Sequence, residues 1–114
     1  MLPFKYRLTK KNDFERVFRK GRRFDNGMFV LTASENGLQY SRFGFAVGLK
    51  VSKKATARNK IRRQLQETIR MSIGDIKGGF DIVILARPTI KRKTYAEVYS
   101  AIRESFKKGR LVIS

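Results

Sequence analysis

The sequence predicts an α/β (α+β) fold, a two-layer sandwich in which three helices and a mixed four-stranded sheet follow one another as αβββαβα. Three stretches predict it. Residues 53–70, KKATARNKIRRQLQETIR, place Ile61, Leu65, Thr68 and Ile69 on one stripe at helical spacing. Residues 80–86, FDIVILA, form a nearly continuous apolar run of strand length, the pattern of a strand buried on both faces. Asn36-Gly37 stands between two strand-like runs, the signature of a tight hairpin. A chain of 114 residues has the size of one domain, taken here as residues 1–114.

In chain order, residues 1–8 contain Pro3 and no hydrophobic period, and read as an extended, mobile basic lead-in. A helix follows from Thr9 or Asn12 to Lys20, because Phe14, Val17 and Phe18 fall at i, i+3, i+4 and Gly21 stands where a C′ glycine would. Residues 21–26 supply a short strand, and residues 28–33, MFVLTA, a second with strong β propensity. After Asn36-Gly37, residues 38–51 are expected to return antiparallel to that strand, with Gly44 and Gly48 marking a bulge or a close backbone approach. The 53–70 helix ends near Ser72 or Gly74, and Gly78-Gly79 turn the chain into the 80–86 strand, parallel to the strand before the helix. Thr94-Tyr95-Ala96-Glu97 is a capping box, and Tyr95, Val98, Tyr99, Ile102 and Phe106 make the last helix amphipathic, a stripe read as core; Gly109 is its stop.

Composition narrows the function. Twenty-seven Lys and Arg against nine Asp and Glu leave a net charge of +18, whose self-repulsion is retained for a polyanionic partner. Hydrophobic residues at 41% separate the chain from a disordered basic tail. With no Cys there is neither disulfide nor thiolate ligand, and with no His the usual general base and imidazole ligand are missing. The nine carboxylates show no spacing that would build a two-metal nuclease, so the reading is no catalytic residue and no metal ligand in the protein. Asp81, ahead of an apolar run, is expected half-buried against an arginine. No run approaches about 18 apolar residues and the first residues lack a signal-peptide core, so the expected compartment is cytoplasmic, with no membrane partner.

On the 53–70 helix, Arg58, Asn59, Arg62, Arg63, Gln66 and Arg70 share the arc beside the apolar stripe, with Lys53 and Lys54 at the entrance. Like charges four apart, as in Arg58 and Arg62, destabilise an isolated helix, so the arc points to an anionic partner rather than to helix stability. Arginine's planar fork suits phosphate and base edges.

The run Lys54-Ala55-Thr56-Ala57-Arg58-Asn59-Lys60-Ile61-Arg62-Arg63 resembles the K-A-x-x-R-N-x-x-K/R-R signature of bacterial ribonuclease P proteins. Segments 14–18, 41–45 and 81–88 resemble the same family in the same order. The resemblance implies an α/β sandwich like ribosomal protein S5 domain 2. It also implies the small subunit of a ribonucleoprotein that removes the 5′ leader from precursor tRNA, with a catalytic RNA carrying the active site. Mg²⁺ is then held by that RNA and the substrate, not by a protein site, and the protein alone is inactive. The implied partners are the catalytic RNA and the precursor's leader, with no DNA. Residue by residue, Arg58, Asn59, Lys60, Arg62 and Arg63 match the signature for the RNA subunit, joined by Lys53, Lys54, Gln66 and Arg70 from the same helix. Phe14 and Phe18 match aromatics of a leader cleft, and Arg87 a basic position at its edge; core and cleft readings of the two Phe both stand. Residues 48–54 lack the family's Gly after paired lysines, so Lys50 and Lys53 are both candidates to reach the leader, and Thr32 stands where some relatives carry an aromatic. The competing reading is a small basic ribosomal or RNA-chaperone protein, which explains the charge equally well.

Overall fold

A computed structural model describes residues 2–113. Its principal elements are α1 (Lys11–Lys20), β1 (Arg22–Asp25), β2 (Phe29–Glu35), β3 (Arg42–Ala46), α2 (Ala55–Ser72), β4 (Phe80–Ala86) and α3 (Tyr95–Lys108). The four strands form one sheet in the order β1-β2-β4-β3, with β3 and β4 parallel and the other pairs antiparallel. Among the described residues no helix is long and apolar enough to cross a membrane.

Alternation along the strands assigns the two faces. Phe29, Leu31 and Ala33 of β2, Phe43 of β3, and Ile82, Ile84 and Ala86 of β4 point into the main core. There they meet Ile61, Leu65 and Ile69 of α2 and Val98, Ile102 and Phe106 of α3, the two layers of the sandwich. The helical stripe read from residues 53–70 is therefore the buried one. The other sheet face carries α1, which packs Val17 and Phe14 on Leu8 and Val83.

Alpha1 crosses that face over one row of paired residues, Thr32, Val83 and Gly44, from β2, β4 and β3. Phe14 lies on Gly44, Val17 on Val83, and Gly21 on Thr32, a contact every turn of the helix. Gly21 has an extended backbone at φ −77°, so it is not the left-handed stop expected from sequence. A Cβ there would lie 2.5 Å from Thr32 Cγ2, so glycine is required by close approach.

Three expectations are corrected. Residues 42–46 do not pair with β2: β4 inserts between them, because its apolar run needs a neighbour on each side to satisfy its backbone. Asn36 Nδ2 donates instead to Asp81 Oδ1 (2.9 Å) and to the Tyr40 carbonyl (3.2 Å), so the Asn-Gly pair anchors a loop to β4. The lead-in is docked, with Leu2 and Leu8 buried, a parallel bridge between Arg7 and Phe43, and the Leu8 N–H donating to Phe43 O at 2.8 Å. Tyr95 is 41% exposed and outside the core, stacked on Tyr99 with ring centroids 6.3 Å apart, because residues 91–97 all run along the surface. The capping box does form: Thr94 Oγ1 accepts from the Glu97 N–H (3.1 Å) and Glu97 Oε1 from the Thr94 N–H (3.0 Å).

Candidate nucleic-acid interface

The sheet row next to the one under α1, Asp25-Val30-Leu85-Ala46, is left open by the helix. Two adjoining hollows lie over it, of about 440 Å³ and 110 Å³, sharing Arg23, Val30 and Leu85 as a common floor and wall. Together they make one groove. Phe18, 48% exposed, forms the α1 wall above Val30, Thr32 and Leu85. Residues 48–51, between β3 and α2, and residues 86–88, at the end of β4 and just beyond it, close the far end.

The floor is apolar and the rim cationic. Arg23, Lys50 and Arg87 all line the groove. Arg87 is held across the β1 end by an ion pair with Asp25, whose carboxyl is kept below the usual carboxylate range first by the Gly27 N–H and then by Arg87. An exposed ring above a narrow apolar floor, with cations at intervals along the rim, fits a single-stranded nucleic acid: bases stack on rings while phosphates meet the cations.

Phe14 and Phe18 separate. Phe14 turns to Gly44 and lines a different hollow of about 160 Å³ with Arg7, Leu8, Arg62 and Gln66. Of the two lysines, Lys50 lines the groove, whereas Lys53 stands exposed at the α2 entrance outside it. Thr32 is buried in the groove floor beneath Phe18. Arg23 is a groove residue that the sequence reading omitted; its place on the open face follows from its pairing with Thr32, which needs the strand register.

The α2 arc is a second basic surface, and its members differ. Lys53, Lys54, Asn59, Lys60, Arg63 and Arg70 are exposed. Arg58 folds back, its Nη1 donating to the carbonyls of Ser52 and Lys53, both at 3.0 Å. That closes the turn entering α2, where no side chain caps the helix. Arg62 Nη1 donates to Asn59 Oδ1 at 2.5 Å, holding a guanidinium and an amide side by side, and Arg70 is engaged by Glu67 at 2.6 Å. Gln66 faces the Phe14 hollow. Among the described residues no three Asp or Glu side chains converge on a common point.

On the flank of α1 away from the groove the charges are ordered differently. Asp81 is fully buried rather than half-buried, and Arg42 grips it with two bonds, Nε to Oδ1 (2.8 Å) and Nη2 to Oδ2 (2.7 Å). Arg16 of α1 donates to the same Oδ2, and Asp13 lies 3.3 Å from Arg16 and 3.5 Å from Arg42.

Comparison with known proteins places this arrangement. The sequence model described as Ribonuclease P matches residues 2–110. The ribonuclease P protein component of Alkaliphilus metalliredigens (strain QYMF) is 37% identical over 106 residues, which is 93% of this chain and 95% of the relative. That of Thermotoga petrophila is 39% identical, covering 86% of this chain and 83% of the relative. Among solved structures, the RNase P protein of Thermotoga maritima superposes with a TM-score of 0.81 at 35% identity, covering 90% and 96% of the two chains. A mutant RNase P protein of Staphylococcus aureus with defective mRNA degradation activity gives 0.87 at 29% identity, over 96% and 91%.

Proposed function

The chain belongs to the ribonuclease P protein family, as the protein subunit of a ribonucleoprotein that processes precursor tRNA, and from that premise we propose a division of labour between its two basic surfaces. The ribosomal or RNA-chaperone alternative is not favoured, since the family match spans residues 2–110. In this reading the α2 arc, led by Lys53, Lys54, Lys60 and Arg63, binds the RNA subunit, while the groove beside α1 binds the single-stranded 5′ leader. Phe18 supplies a stacking ring, and Lys50, Arg87 and Arg23 meet leader phosphates. The observation that carries it is the open row beside α1, apolar in its floor, cationic at its rim, and overlooked by an exposed aromatic.

Cleavage itself is assigned to the RNA. In this reading Mg²⁺ is held by the RNA subunit and the substrate, and no three Asp or Glu side chains among the described residues converge to offer it a protein site. The protein contributes affinity and neutralises charge where leader and RNA subunit meet. It is expected to be inactive alone.

The test is reconstitution with a cognate catalytic RNA at low Mg²⁺, using precursors with graded leaders at several salt concentrations and mature tRNA as the control. Each neutralised phosphate of a single strand steepens the log-log salt slope by about 0.7, so the slope should grow with leader length and stop at roughly 4–8 nucleotides. Affinity that rises without a plateau, or mature tRNA that binds as tightly as the precursor, would remove the groove from the mechanism.

A further inference from the structure

The groove is built on one flank of α1, and the buried charge cluster on the other. At 100° per residue, Phe14, Val17 and Gly21 face the sheet, Phe18 projects to the groove side, and Asp13 and Arg16 project to the opposite side. Among the described residues no hydrogen bond or ion pair ties α1 to the sheet on the Phe18 side, where the neighbours are Arg23, Val30, Thr32 and Leu85. All of the helix's ionic anchoring to the sheet, among the described residues, is on the far flank: Arg16 to Asp81 and Asp13 to Arg42.

From this we infer that Asp81 and Arg16 are positioning residues for leader recognition: their bond fixes the roll of α1 about its axis, and so sets where Phe18 stands over the groove. The inference rests on the leader-groove reading. Asp81 is suited to this because it is immobile, fully buried in the central strand β4 and held by Arg42 and Asn36 through both oxygens. Arg16 reaches it from α1 and is steadied by Asp13 one turn earlier on the same helix. The apolar contacts under α1 are few, Val17 and Phe14 against Leu8 and Val83, and greasy contacts alone tolerate rotation better than a bond of fixed direction. A ring atom lies about 6 Å from the helix axis, so a roll of about 20° shifts it by roughly 2 Å, enough to misalign a stacked base. Asp81 touches no leader; it acts through the helix.

The reconstituted holoenzyme tests this through the ratio of precursor to mature tRNA affinity. Phe18→Ala sets the scale, since it removes the ring outright. Arg16→Met keeps the aliphatic stem and deletes the bond; it should lower the ratio by about 5-fold or more, the lower end for loss of one stacked base, with mature tRNA and RNA-subunit affinities unchanged. Arg16→Lys should recover part of the loss. The two substitutions should also be non-additive, Arg16→Met having no further effect once Phe18 is alanine, whereas a merely destabilised protein would lose affinity in both backgrounds. If Arg16→Met does not melt cooperatively, Asp81→Asn is measured by the same criteria, because an amide keeps one acceptor for Arg42 and removes the charge facing Arg16. A parent-like ratio in the folded Arg16→Met variant, with Phe18→Ala defective, overturns the inference and leaves the groove standing. An unchanged ratio in Phe18→Ala removes the groove reading itself.

Discussion

Phe14 occupies the space that a side chain at residue 44 would fill: a Cβ on Gly44 would lie 2.5 Å from the Phe14 Cζ and 3.3 Å from the Leu8 Cβ. The ring cannot escape sideways without leaving Val17 and Val83. Gly44→Ala should therefore cost about 1–3 kcal/mol, as overpacking of a tight site does, and the loss is read from denaturant unfolding.

The two phenylalanines of α1 should behave differently. Phe14→Ala empties the small cluster under the helix and should cost about 3 kcal/mol of stability, near the low end for a buried Phe. Phe18→Ala, half in solvent, should cost under about 1 kcal/mol but weaken precursor binding by about 1–3 kcal/mol, roughly 5- to 150-fold. Thermal melts and precursor affinities of both variants separate the two roles.

On α2 the clean probe of RNA-subunit binding is Lys60→Glu with Arg63→Glu. Both side chains are exposed and make no side-chain hydrogen bond or ion pair with another described residue, so stability should move by less than about 0.5 kcal/mol while affinity for the RNA subunit falls at moderate salt. Arg58→Ala is expected to do more to the fold, about 1 kcal/mol in denaturant unfolding, because Arg58 closes the turn at Ser52 and Lys53.

Helix α3 depends on its N-terminal box. Thr94→Ala should cost about 1 kcal/mol, the usual loss of a Thr cap. The Thr94 backbone N–H, and then its side chain, hold the Glu97 carboxyl below the ordinary carboxylate range. A depressed folded value means that this contribution is present above the unfolded Glu value of about 4.3 and fades as pH falls through the folded value. Glu97→Gln should thus resemble the parent in acid and differ from it near neutrality, as followed by thermal melts across pH.

Local pattern was enough wherever a residue's role is set by its near neighbours. The α2 stripe is buried as its spacing required, the β4 run lies between two strands, and Thr94 and Glu97 cap each other. What local pattern could not show was decided by long-range competition. Asn36-Gly37 has the composition of a hairpin, yet Asn36 is held by Asp81, forty-five residues away, and the partner of β2 is β4. The groove was half visible. Phe18, Lys50 and Arg87 converge on it, but Phe14 leaves it for Gly44, Lys53 stands outside, and Arg23 enters only once β1 is registered on β2. The capture of Arg58 by the turn before its own helix has no signature in residue spacing at all.

The docking of the first residues on β3 bears on how copies of this protein keep apart. Beta3 is an outer strand of the sheet, and an unshielded outer strand is a template on which another chain can add. Arg7 and Leu8 take hydrogen-bonding positions beside Phe43, while Leu2 is buried in the main core. The segment thus acts as a guard rail along that border. A net charge of +18 repels neighbouring molecules in dilute buffer, but salt screens repulsion over distances beyond about 10 Å at 0.1 M. Where salt screens that repulsion, steric cover of the border remains as the obstacle to strand-to-strand pairing, and Arg7 and Leu8 supply it beside Phe43.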